Sequence, residues 1–407
     1  MNVLPCGHLA AAAGARICAH LTTDNGPECF RVLTGVRTEF DLLCRECADA
    51  AAPELLDACV GCFGRAEEEA GLGWRGRPEI LRHDRDPGGS WTTSGGAPAP
   101  LNDRCLAGLP GGWLAWTADG LVALDPAPRH VAAVRLPEEP PENWAGHVRG
   151  PALHTSPDGR FAAAVTDYGR YGAVFEVASG AVTLELDRQD HHTETTPFPI
   201  AFLGSRVVAA TDWNRLDAFD AATGRLLTER ATDDEKHYLN YFFGALLPSP
   251  SGRALLTDGW VWSPFGVPLV IDSAAWPDGD VHAPEHGRAL AQREYAWDDP
   301  VAWLDERTVA QQRIGEDDEL MLDGVTLLDA ATGRRKAVFA GPKGRMWSHG
   351  GLLYVAAEAG LEIWDPAEGA RIGFLDGFAP IAHREGTFAE LRDGQLRIWT
   401  SPRTPDA

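Results

Sequence analysis

One short pattern returns seven times along this 407-residue chain and limits what it can fold into. An apolar strand ends in an acidic residue, a tight turn with glycine follows, and another strand begins. The clearest copy runs Leu216-Asp-Ala-Phe-Asp220-Ala-Ala-Thr-Gly224-Arg225, and Val325-Thr-Leu-Leu-Asp329-Ala-Ala-Thr-Gly333-Arg334 nearly duplicates it. Leu361-Glu-Ile-Trp-Asp365-Pro-Ala-Glu-Gly369 and Ala173-Val-Phe-Glu176-Val-Ala-Ser-Gly180 align with both, and weaker copies end at Asp125, Asp272 and Thr400, the last with Thr in the acidic place. The acidic side chain caps the backbone of the turn, and glycine takes the positive φ that returns the chain. A second turn recurs as Ser156-Pro-Asp-Gly-Arg160 and Ser249-Pro-Ser-Gly-Arg253. The strand-end positions 125, 176, 220, 272, 329, 365 and 400 lie about 46 residues apart on average, close to the ~40–50 residues of one four-stranded propeller unit. Seven markers predict seven such units.

From about residue 75 to 400 the chain resembles a WD40-like or quinoprotein-like β-propeller. The run Leu361-Glu-Ile-Trp-Asp365 is similar to the end of a WD40 repeat, Ile398-Trp399 echoes it, and the Asp-Ala-Ala-Thr-Gly-Arg turns occur in both repeat types. The Gly-His dipeptide of WD40 repeats is not regular here, and only one copy carries Trp-Asp. The resemblance implies a mainly β chain, a seven-bladed propeller over 75–402 preceded by a small α+β zinc-binding domain over 1–70. After Thr400 too little chain remains for the outer strand of the last blade. The strand-like run at 78–83 is expected to complete it and close the ring. Insertions at 137–150, 187–197, 230–241, 273–300 and 314–320 are expected as loops, where a propeller meets its partners.

The first 62 residues hold four close ligand pairs: Cys6-x-His8, Cys18-x-His20, Cys44-x-x-Cys47 and Cys59-x-x-Cys62. Two ligands from one tight turn fill half of a tetrahedral shell, so four pairs make two closed sites of the structural kind. Alternating and sequential pairing are both open. A strand precedes Cys44, another precedes Cys59, and 65–70 reads as a short helix. A CxxC turn leading into a helix resembles treble-clef zinc fingers, and two interleaved sites would resemble the plan of RING-type and ubiquitin-protease-type fingers. Cys29 is the spare, expected as a buried thiol, and Cys105 is expected in a core strand. With no secretion signal in view, the cysteines read as ligands rather than disulfides.

Net charge is −23, which repels nucleic-acid phosphates and anionic membranes. Residues 1–62 are acidic too, with four Arg, no Lys and eight Asp or Glu. No segment is long and apolar enough to span a bilayer as a helix. The sequence has no Gly-x-Ser-x-Gly elbow, phosphate loop or dinucleotide fingerprint. Asp190-His191-His192-Thr-Glu194 is the best candidate for a further metal or acid–base group, with a solvated loop as the plainer reading. The acidic runs at 232–235 and 315–319 also read as solvated loops. The expectation is a cytoplasmic interaction scaffold with two structural Zn2+ ions that binds proteins through finger and propeller loops. The alternative is a propeller enzyme with a channel-centred site, either a quinone-dependent oxidoreductase or a metal-dependent lyase or hydrolase.

Overall fold

In the computed structural model the chain is mainly β. The structure describes residues 2–3, 9–10, 15–22, 29–33, 35–37, 40–50, 54–59, 62, 79–124, 127–140, 145–212, 214–231, 237–262, 264–316 and 321–402. Among the described residues seven sheets follow one another from Leu106, antiparallel throughout except for one added edge strand. Sheet one is Leu106–Leu109, Gly112–Thr117, Gly120–Leu124 and Pro128–Ala132; sheet two is Gly150–Thr155, Phe161–Asp167, Tyr171–Glu176 and Val182–Asp187. Sheet three has three strands, Ile200–Leu203, Arg206–Asp212 and Arg215–Asp220. Sheet four is Phe242–Pro248, Ala254–Val261 and Phe265–Asp272, edged by Arg288–Ala289 and Arg293–Glu294. Sheet five is Val301–Trp303, Thr308–Ile314, Leu322–Asp329 and Arg335–Ala340. Sheets six and seven begin with Arg345–His349, Leu352–Ala357, Gly360–Asp365 and Ala370–Asp376, and with Ala382–Arg384, Thr387–Arg392 and Gln395–Thr400.

Six of the seven sequence markers fall at the end of the third strand of their sheets, and Asp125 lies outside the described residues. The capping works as its chemistry requires. Asp220 Oδ1 accepts the amides of Ala222 and Thr223 at 3.1 and 2.8 Å. The turn glycine has a second duty. A Cβ on Gly224 would lie 2.4 Å from the carbonyl oxygen of Thr183, on the outer strand of sheet two, and one on Gly180 would lie 2.1 Å from that of Val131 on sheet one. The turn of one sheet thus seats on the outer strand of the sheet before it.

The cores lie between sheets. In Phe161–Asp167 the side chains of Ala162 and Ala164 pack towards sheet one, while Phe161, Ala163 and Val165 pack towards sheet three, as the two-residue strand period dictates. First strands touch between sheets one and two, two and three, three and four, and five and six, and the first strand of sheet seven packs on that of sheet one, so the succession returns to its start.

The strand that completes sheet seven differs from the expected 78–83. Ser90–Gly95 pairs antiparallel with Gln395–Thr400, placing Trp91 opposite Trp399. Leu81–Arg85 runs instead parallel to Ala370–Asp376 as a fifth strand of sheet six. Two forces decide this. Asp84 makes a two-pronged ion pair with Arg371 at 2.9 and 2.6 Å. Gly88 and Gly89, both at positive φ, then turn the chain so that the β-favouring run Ser90-Trp-Thr-Thr meets the open edge. The insertion at 273–300 is likewise not all loop, since it carries the outer pieces of sheet four.

The N-terminal module has a sheet ordered Cys29–Val32, Asp41–Cys44, Ala15–Cys18 and Leu55–Ala58. It meets the outer strand of sheet five, where Leu33 packs with Ile314, Val338 and Ala340. The expected helix at 65–70 lies outside the described residues.

Candidate metal centre and binding face

Cys18 and Cys44 end neighbouring strands that run parallel, with Ile17 opposite Leu42. Both thiols therefore arrive at the same end of the sheet. The chain after Cys18 turns through Ala19–Thr22, which carries His20, and the chain after Cys44 enters the helix Arg45–Asp49, which carries Cys47. The ligand atoms of Cys18, His20, Cys44 and Cys47 all lie within 4.8 Å of one another. His20 Nδ1 is 3.5 Å from Cys44 Sγ and 3.3 Å from Cys47 Sγ. Ligand bonds of 2.0–2.1 Å to nitrogen and 2.3 Å to sulfur set a tetrahedral N···S edge of about 3.6 Å, so the cluster fits a single ion. The Cys44 amide donates to Cys18 Sγ at 3.3 Å, the kind of outer hydrogen bond that steadies a sulfur ligand. Burial and the neighbouring Cys44 and Cys18 thiols push the Cys47 thiol up to about 12. Without a cation the Cys47 thiol keeps its proton, and a bound ion would replace it.

The second pair thus joins the third, which is neither the alternating nor the sequential pairing. Strand direction explains it. Leu55–Ala58 runs antiparallel to Ala15–Cys18 with Ala58 opposite Ala15, which sends Cys59 to the far end of the sheet. Cys62 packs near Ile17, Leu42 and Ala58, and its amide donates to the Cys59 carbonyl at 3.0 Å. Cys6 and His8 lie outside the described residues. Cys29 is buried on the strand paired with Cys44. Cys105 is also buried, but it lies just before the first strand of sheet one, with its thiol on the Pro151 carbonyl at 3.3 Å.

A second arrangement lies at one end of the ring. In an up-and-down sheet, the turn between the second and third strands and the link to the next sheet emerge at the same end, here termed the upper face. There Tyr168, from sheet two, donates its hydroxyl to Asp298, which precedes sheet five. This bond joins sheets three places apart and so crosses the ring. Arg104 pairs with Asp167 at 2.7 Å and lies over the Tyr168 ring. Arg345 of sheet six reaches Asp103 ahead of sheet one at 3.0 Å. Tyr168 and Asp298 both hold positive φ, 57° and 62°, a strained conformation for such residues that surrounding contacts must maintain. Burial pushes Asp298 up to about 6, against the pull of Tyr168 and Arg104. Asp258 is buried with neither oxygen hydrogen-bonded, and burial, then Asp298 and Asp299, pushes it up to about 8.

The Asp190–Glu194 candidate resolves into packing and a contact with one carboxylate. His191 Nε2 meets Asp212 at 2.9 Å, and His192 packs edge-on against Phe242, Trp260 and Trp262. The loop is organised by the buried Arg188, whose guanidinium donates to the carbonyls of Gly169, Thr193, Thr196 and Pro197. The runs at 232–235 and 317–319 lie outside the described residues. Local sequence gave no sign of the cross-ring network, because its members come from separate sheets and match no linear motif.

Apolar exposure is concentrated on the same face. Eight large hydrophobic side chains among the described residues are exposed, and five of them (Leu101, Val148, Tyr238, Trp262 and Tyr295) sit on upper-face loops. The other three, Ile80, Trp91 and Val182, belong to outer edges. Among the described residues no helix is long and apolar enough to cross a membrane.

No family model matches the chain, and no curated protein sequence matches it. Solved structures do. A chain in the crystal structure of the mitotic checkpoint complex superposes with a TM-score of 0.50 at 12% identity, covering 81% of this chain and all of that one. The β-propeller domain of Cps50 (Swd1) from Myceliophteria thermophila is similar at 13% identity and a TM-score of 0.44, covering 76% of this chain and 98% of that one. These neighbours are WD40 β-propeller proteins. At such identity the likeness is one of fold: this chain contains a β-propeller.

Proposed function

We propose that the protein is an interaction scaffold inside the cell, a seven-bladed propeller with a structural double-zinc head. The observation that carries this reading is the gathering of exposed Trp262, Tyr295, Tyr238, Val148 and Leu101 on one face, over side chains locked by ion pairs. Exposed aromatics on a rigid platform are what protein interfaces use as anchors. The seven successive sheets, with the last packed on the first, support the blade count. The partner presents an apolar surface with neutral or basic surroundings, given the chain's charge of −23.

Zinc suits the head because three thiols and one imidazole form a closed set with no position left for substrate. A second ion would use Cys6, His8, Cys59 and Cys62, since Cys59 leaves the sheet at the end opposite Cys44. The sites would then be nested, with the second and third pairs inside the first and fourth. The channel-centred enzyme is the weaker reading, because the charged groups that converge over the ring bond one another. Affinity capture with the full chain tests the scaffold. Partners held by the wild type should be lost with Trp262→Ala/Tyr295→Ala and kept with Trp91→Ala on the outer edge. Equal retention by both variants would remove the upper face from the reading.

A further inference from the structure

Among the described residues sheet three has three strands, with a short bridge from Phe219 to Leu226 along its outer edge, and the excursion 273–287 of sheet four packs beside that edge. The short helical turn Ala283–His286 packs on Arg215–Asp220 and Phe265–Asp272. The cover is fastened by a buried ion network: Arg230 bonds Asp217 at 2.7 Å and Glu285 Oε1 at 2.6 Å. Above it lies a cavity of about 120 Å3, lined among others by Asp212, His237, Tyr238, His282 and Glu285.

Two buried atoms at this place have no hydrogen-bond partner, His282 Nδ1 and Glu285 Oε2, and they face each other at 3.9 Å. That gap is too long for a hydrogen bond, and leaving both groups unsatisfied in a buried site is costly. An ion about 2.0–2.2 Å from each atom would bridge the gap. Two more imidazoles converge beside them. His237 Nδ1 lies 3.1 Å from His286 Nε2, while the His237 ring is stacked on His282 at 3.9 Å and must turn out of that stack for its in-plane lone pair to meet an ion held by His282. Two imidazole nitrogens on one tetrahedral zinc are separated by about 3.3 Å, so the first pair already has ligand spacing.

The surroundings supply the outer contacts that metal ligands take. Asp280 Oδ2 lies 3.4 Å from the other nitrogen of His286, and Arg230 holds the other oxygen of Glu285. His286 is half exposed and can rotate to bring its nitrogen to the same ion as the buried pair. Three imidazoles and one carboxylate, with no sulfur, suit a divalent transition ion of the zinc type.

We propose that His237, His282, His286 and Glu285 form a zinc-type metal site on the rim of the upper face, separate from the cysteine cluster. A metal there would pin the excursion to the loop that carries His237 and Tyr238, and so fix one edge of the exposed aromatic face.

The test measures bound zinc per chain by elemental analysis at a buffered free-zinc level, using the full chain. His282→Gln and His237→Gln should each lose one ion, or bind it at least tenfold more weakly, while Cys44→Ser/Cys59→Ser keeps it. Circular dichroism melts in chelator should match the wild type for both histidine variants, whose side chains are not part of a core. X-ray absorption of zinc held by the cysteine variant should show nitrogen and oxygen neighbours without sulfur, a readout that does not depend on the histidine variants folding. Wild-type stoichiometry in both histidine variants would overturn the site, as would a cysteine variant that holds no zinc. A water bridging His282 and Glu285 predicts that stoichiometry does not change and is thereby excluded or established.

Discussion

Arg37 and Val338 exchange two backbone hydrogen bonds, of 3.0 and 2.5 Å, and this bridge joins the N-terminal module to the outer strand of sheet five. Arg37 also lies 3.6 Å from Asp41, the buried carboxylate that takes Arg16 at 2.6 Å, so the joint continues into the strand ending at Cys44. The propeller thereby covers an exposed sheet edge with part of its own chain.

Leu33, 2% exposed, anchors that joint between Val338, Ala340 and Ile314. Leu33→Ala should weaken docking by about 2–4 kcal/mol and leave the sheets intact. Limited proteolysis should then cut between module and propeller faster than in the wild type, while the propeller's melting temperature holds. Equal cleavage rates would mean that the module is held by contacts elsewhere.

The opposite strand ends of Cys44 and Cys59 predict independent metal losses from the head. Cys44→Ser should lose one zinc and Cys59→Ser a different one, with the losses adding in the double variant. Elemental analysis of the three proteins decides this. Loss of both ions in either single variant would point to shared ligands and against nesting.

Asp258 gives a pH dependence with a definite sign. Its folded-state pKa, about 8, stands above the ordinary carboxylate value of 3.8. Between those values the folded state binds more protons than the unfolded one, so stability falls as pH rises from about 4 to about 8 and is level beyond. Asp258→Asn removes the ionisation. It should match the wild type near pH 4 and exceed it by a few kcal/mol near pH 8. Calorimetric melts at both pH values check it, and a stability difference that does not change with pH would show that Asp258 stays ionised throughout.

Most of the propeller was legible because its turns are local chemistry. Asp220, Asp329 and Asp365 each cap their own turn within three residues, so the repeat could be read along the chain. The closing strand was harder to read. Both 78–83 and 90–95 have strand character, and the choice rests on Asp84 meeting Arg371, 287 residues away. Pair spacing picked out Cys18, His20, Cys44 and Cys47, which the fold brings together, but which pairs meet depended on whether strands run parallel or antiparallel. The His237–His282–Glu285 cluster was invisible for the same reason, since its members meet only when the excursion of sheet four covers the short third sheet.

The Tyr168–Asp298 bond that crosses the ring yields the last prediction. Tyr168→Phe removes the donor and leaves Asp298 buried with one partner fewer, a loss of about 1–3 kcal/mol. The tyrosine hydroxyl also holds the Asp298 pKa down, so its removal shifts that carboxyl further above its unfolded value. A carboxylate raised in this way costs stability as pH climbs through its folded-state pKa, here about 6 in the wild type and higher in the variant. Tyr168→Phe should therefore lie closest to the wild type near pH 5 and fall furthest behind near pH 8. Asp298→Asn should remove most of that pH dependence, and in its background Tyr168→Phe should cost less than it does alone. Thermal melts of the four proteins at the two pH values complete the cycle. Strictly additive losses, unchanged with pH, would mean that the two side chains do not interact across the ring in solution.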